Sequence, residues 1–111
     1  METKLGKIEK VRFGFGGYNE AQVGLWLTFS GDGIGVSHGI QGGWSLHIKH
    51  SEHCKWTEEE RDVGYAKMCR EVQEVMLKAK VEEVHQLVGK PVEMTFDGMI
   101  LKDWRILTEV L

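Results

Sequence analysis

Apolar and polar positions alternate with a period of two in the first half of the chain, then shift to a helical step. Val11, Phe13 and Phe15 alternate with Arg12 and Gly14, which predicts a first strand over residues 5–15. Gly16, Gly17, Tyr18 and Asn19 supply turn chemistry. Over residues 21–29 the alternation is cleaner. Val23, Leu25, Leu27 and Phe29 share one face, and Gln22, Gly24, Trp26 and Thr28 the other. The segment Ser30-Gly31-Asp32-Gly33 reads as a turn. Ile34, Val36, His38 and Ile40 then face one way, opposite a row of only glycine and serine: Gly33, Gly35, Ser37 and Gly39. Trp44, Leu46 and Ile48 suggest one more short strand, and residues 49–56 a polar, histidine-rich loop.

The period changes at Thr57. Thr57-Glu58-Glu59-Glu60 is a capping box, and Tyr65, Met68, Cys69, Val72, Val75, Met76 and Ala79 recur at steps of three and four. Together they predict an amphipathic helix over residues 58–79, about 33 Å long, with Cys69 as a small core residue in its stripe. Val81, Val84, Leu87 and Val88 suggest a second short helix, ended by Gly89 and Pro91. Val92, Met94 and Phe96 alternate again, Asp97-Gly98 signals a hairpin, and residues 99–109 return with Ile100, Trp104, Ile106 and Val110 facing inward. The expected fold is α+β, a single domain over residues 1–111. It has a mostly antiparallel sheet of four to five strands, an N-terminal meander plus a C-terminal hairpin. The long helix and the short one pack on one face.

Composition changes this picture at one place. Ten of the 14 glycines lie between Phe13 and Trp44, among six aromatic residues. Glycine inside a strand costs about 0.5–1 kcal/mol relative to alanine. So much of it implies bulges, tight turns, or backbone left bare for something to approach. Tyr18, Gln22, Trp26 and Trp44 beside that backbone, with Phe15, are the candidate ligand-binding residues. Arg12 and Lys49 would take the negative charge of a small anionic ligand, and the aromatic rings would stack on a nucleobase. The same residues suit an interface between copies. One 22-residue helix is too narrow to shield both faces of such a sheet, which predicts a homo-oligomer, most simply a two-fold dimer.

The net charge of −3 argues against a broad nucleic-acid-binding face. No apolar run reaches the ~18 residues of a membrane span, and no signal segment follows Met1, so a cytoplasmic location is expected. Cys54 and Cys69 are then expected as thiols. Neither glycine cluster has the spacing or lysine of a phosphate loop. The sharpest chemical candidate is His47, His50, His53 and Cys54: imidazoles and a thiol within eight residues match zinc's preference for nitrogen and sulfur. His47, His50 and Cys54 would share a face only if the segment were helical. No catalytic constellation stands out.

The run from Phe13 through Leu25, the segment Trp56-Thr57-Glu58-Glu59-Glu60-Arg61, and the C-terminal segments Val88 through Gly98 and Leu101 through Val110 resemble small phage- and prophage-encoded proteins of unknown function. The resemblance implies an accessory protein acting against host machinery or host defence, and it assigns no catalytic residue. The expectation is therefore a non-enzymatic protein that binds and blocks. It would sequester a small anionic ligand such as a signalling nucleotide, or inhibit a host protein. A zinc site at residues 47–54 and a nucleic-acid-binding module are the alternatives.

Overall fold

Two-residue turns and period-two runs fold the chain into one five-stranded antiparallel sheet, described here in a computed structural model for residues 1–49 and 56–111. The strands are β1 (Glu2–Gly16), β2 (Gln22–Gly31), β3 (Ile34–Trp44), β4 (Pro91–Asp97) and β5 (Ile100–Ile106), and the helix α1 spans Glu58–Ala79. Their order in the sheet is β3-β2-β1-β4-β5. The β2–β3 turn has positive φ at both Asp32 and Gly33, 50° and 75°. That is the type I′ geometry whose twist matches a hairpin. β1 starts earlier than its alternation suggests because residues 2–7 pair with β4, while residues 7–16 pair with β2.

The sheet is curled into a half-barrel rather than laid flat. Trp104 of β5 lies 4.8 Å, ring centre to ring centre, from Phe29 of β2 and 5.8 Å from His38 of β3, although β3 and β5 are the two edges. Ile8, Leu25, Leu27, Phe29, Val92 and Met94 fill the inside. α1 packs chiefly on β3 and also touches β5, so it lies along the gap between the edges. Two backbone details set its position. Thr57 caps it, its Oγ1 accepting from the Glu60 N–H at 3.1 Å. Gly64 lets the helix come down onto β3, since a Cβ there would lie 2.7 Å from the Gly42 carbonyl oxygen.

Several expectations are corrected. The second short helix is a single 3-10 turn, Val84–Leu87, because Lys80 ends α1 in the left-handed region and Gly89, at φ 89°, and Pro91 follow at once. Leu46 and Ile48 form no strand; residues 46–47 turn after β3 ends at Trp44. Ile100 and Val110 are exposed and Leu101 packs on the core instead. The cause is a bulge. Phe96 pairs with Leu101 and Thr95 with Asp103, so Lys102 is an extra residue that reverses the alternation. Cys69 is an exposed thiol, outside the helix face formed by Met68, Val72 and Ala79.

Candidate functional site

The glycine-rich backbone is covered by the protein's own Trp26. On the outer face of the sheet the indole lies across β2 and reaches both neighbours. A Cβ at Gly16 of β1 would sit 2.4 Å from its Cε2, and a Cβ at Gly39 of β3 would sit 2.4 Å from its Cζ3. The indole N–H donates to the Gly14 carbonyl at 2.9 Å. Arg12 is in register with Trp26, and its Nη1 would be 3.2 Å from a Cβ at Gly14. Gln22 flanks Gly17 beside the outer end of the ring. Of the seven residues proposed from the sequence, the fold thus gathers Arg12, Gln22 and Trp26.

The other four go elsewhere. Tyr18 stands on a 3-10 turn, 88% exposed. Lys49 is exposed at the last described position before the helix-side segment. Trp44 stacks on Trp56 at 6.0 Å, and Trp56 lies 4.5 Å beneath the Arg61 guanidinium. Arg61, buried in the first turns of α1, also donates to the Ile48 carbonyl at 2.6 Å and pairs with Glu58 at 3.4 Å. The Tyr65 hydroxyl donates to the Trp44 carbonyl. These contacts fasten the end of β3 to the helix.

Phe15 is on the inner face, in register with Val23. α1 does not reach this end of β1, which leaves Phe13 and Phe15 each about half exposed. Between Phe15, Val23, Leu46, Tyr65 and Met68 lies a hollow of about 320 Å³ with Ser45 in its wall. Ser45 is buried and already engaged. Its N–H donates to the Ala21 carbonyl at 2.8 Å, and its Oγ lies 2.8 Å from His47 Nδ1. His47 in turn stands edge-on to Phe15 at 5.2 Å. A hydroxyl within bonding distance of an imidazole is a nucleophile–base geometry. Here the pair is two residues apart on one turn, the serine is sealed, and no acid orients the imidazole among the described residues. It braces the rim of the hollow.

No family model, curated protein or solved structure matches this chain.

His50, His53 and Cys54, the other members of the proposed zinc set, lie outside the described residues, and no three His, Cys, Asp or Glu side chains converge among the described ones. A second cleft, about 200 Å³, opens where the edges of the half-barrel meet α1, between His38, Glu71, Lys78 and Trp104. Burial lowers the His38 pKa below the ordinary imidazole value, and the nearby Glu71 carboxylate pulls it partly back. At the far edge of β5, Arg105 holds Glu109 and Glu93 at 2.9 and 3.1 Å, and its hydrogen bond to Glu109 keeps that carboxyl below its usual range. Among the described residues no helix is long and apolar enough to cross a membrane. Sequence reasoning missed the hollow because its walls come from four separate segments. Tyr65 and Met68 carry only a core signal in the sequence, and Leu46 reads as strand.

Proposed function

We propose that this protein is a non-enzymatic binding protein that blocks a protein partner by taking an apolar side chain of that partner into the hollow at Phe15. The observation that carries this is the lining: Phe15, Val23, Leu46, Tyr65 and Met68 around a space of about 320 Å³ whose one small polar wall group, Ser45, is already hydrogen-bonded. An apolar recess beside exposed aromatic residues suits a hydrophobic anchor. Among the described residues its lining offers nothing to neutralise a phosphate. The resemblance to phage and prophage proteins supports a host protein, a defence component among them, as the target.

The small anionic ligand remains the alternative, on the outer face at Arg12, Gln22 and Trp26. It is the weaker one, because the bare backbone that would admit a nucleobase is filled by the Trp26 indole. For zinc, His47 alone lies in the described part of the set, and Ser45 engages its ring.

The test combines a peptide selection with a thermal screen. Displayed random peptides selected on the protein should be rich in aromatic and aliphatic residues, and should lose at least tenfold in affinity on Phe15→Glu. A panel of mono-, di- and cyclic nucleotides should leave Tm unchanged. Peptides indifferent to Phe15→Glu refute the hollow as the site. A nucleotide that raises Tm by several degrees, with the shift lost in Arg12→Ala, establishes the anionic alternative.

A further inference from the structure

β1 is twice as long as the strand that covers its outer side. β4 pairs with residues 2–7 only. At Ile8 the backbone is still bonded, its N–H donating to the Lys90 carbonyl at 2.9 Å and its carbonyl accepting from Gly89 at 2.7 Å. Beyond it, among the described residues, residues 10–16 pair with β2 on one side and with no strand on the other. At ~3.4 Å per residue that is about 24 Å of open strand edge. Such edges are ordinarily blunted by inward-pointing charge, proline or a covering element. Among the described residues this one has no inward-pointing charge, no proline and no covering element. Its inner row is Val11, Phe13 and Phe15, with Phe13 53% and Phe15 52% exposed. Its charges, Lys10 and Arg12, point to the outer face with Thr28 and Trp26.

The geometry points to a second copy of this chain as the occupant: two β1 strands pair antiparallel about a two-fold axis at Phe13, joining the sheets edge to edge. The strand is self-complementary in that register. On the inner face Phe13 meets the partner's Phe13, and Val11 meets the partner's Phe15. On the outer face Arg12 lies opposite the partner's Gly14, and Lys10 opposite the partner's Gly16. Each basic side chain thus lies directly opposite a glycine of the partner rather than opposite another charge. Moving the axis to Arg12 sets two guanidinium groups face to face, and like charges directly opposite are unfavourable. Moving it to Gly14 shortens the ladder, because Gly17, at φ 74°, has left the strand. The register at Phe13 alone uses the whole open edge without setting like charges directly opposite each other. It also sets the partner's Val11 against Phe15, so the second copy completes the rim of the hollow. The pairing stands on the strand edge and its charge pattern and does not depend on what the hollow binds.

Sedimentation equilibrium at 5–200 μM tests this, with far-UV circular dichroism to verify folding. The wild type should have twice the chain mass. Phe13→Lys and Phe13→Glu, each placing like charges on the axis, should each have the mass of one chain. Their equimolar mixture should return to twice that mass, because residue 13 of one variant then faces the opposite charge of the other. If either variant fails to fold, the wild type alone decides through amide hydrogen exchange. Residues 11–15 should become at least tenfold more protected as concentration rises through the mass transition. A monomeric wild type, a dimer indifferent to Phe13→Lys, a mixture that stays monomeric, or protection at residues 11–15 that ignores concentration overturns the pairing.

Discussion

Adding one methyl group at Gly39 measures whether the glycine-rich face serves the Trp26 indole. The Gly39 backbone lies outside the left-handed region, so alanine meets no conformational obstacle there. Its Cβ would, however, sit 2.4 Å from Trp26 Cζ3 and 2.6 Å from Cε3. The ring has nowhere to slide, because Gly16 on the other side is equally close to it. It must lift off the sheet. Lifting breaks the N–H bond to the Gly14 carbonyl, worth about 1 kcal/mol. It also uncovers ~100 Å² of apolar contact, worth about 2.5 kcal/mol at 25 cal/mol per Å². Alanine's better fit in a strand returns about 0.5–1 kcal/mol. The net expectation for Gly39→Ala is a loss of about 2–3 kcal/mol in urea unfolding followed by far-UV circular dichroism. In a Trp26→Ala background the collision is gone, and the same substitution should stabilise by about 0.5–1 kcal/mol. This change of sign is the decisive reading, since coupled residues depart from additivity while independent ones do not. A Gly39→Ala that is neutral in the wild type, or equally damaging with and without Trp26, refutes the account of the glycines and reopens the face to an external ligand.

Two further outcomes follow from the packing. Gly64→Ala should destabilise by about 1–2 kcal/mol in the same assay although alanine is the better helix former by about 1 kcal/mol, because its Cβ would press within 2.7 Å of the Gly42 carbonyl and push α1 off β3. His38 should make stability fall as pH is lowered from 7 towards 5. Its folded-state pKa lies below the unfolded value of 6.5, so the unfolded chain takes up the proton first, and urea midpoints for His38→Gln should show a flatter pH dependence.

Much of the fold is written in local pattern. The Thr57 N-cap, the helix over residues 58–79, the Asp32-Gly33 turn and the leucine row of β2 are each decided within a few residues, and each is found where the pattern puts it; the Asp97-Gly98 signal falls one residue early, since Asp97 pairs with Ile100 and the turn is Gly98-Met99. What the pattern could not carry is phase across a bulge. Whether Ile100 or Leu101 enters the core depends on Lys102 being skipped in the ladder to β4, a property of two strands together. Glu9 is skipped in the same way between the Ile8–Phe29 and Lys10–Thr28 pairs of β1 and β2. Curling is equally non-local. On a flat sheet a single helix leaves a whole face uncovered; in the half-barrel, Trp104 reaches Phe29 and His38, and α1 has only the gap to close.

The glycine and aromatic run was legible as a special surface, but not as a surface already in use. Residue types alone do not say whether the ring that lies on bare backbone comes from another molecule or from the next strand. The register does. Trp26 is directly opposite Arg12 on one side and Gly39 on the other, so its ring spans three strands. This placement has a mechanical consequence for the candidate site. Among the described residues the far half of β1 is bonded along one edge only, and α1 does not cover it, so a strand carrying Phe13 and Phe15 would fray first. The indole bonds Gly14 from above and blocks Gly16 from lifting away. It therefore holds the inner-face aromatics in line from the opposite side of the sheet. The stretch that reads as a ligand surface is the support, and the surface that is open to other molecules is the row of side chains on its other side.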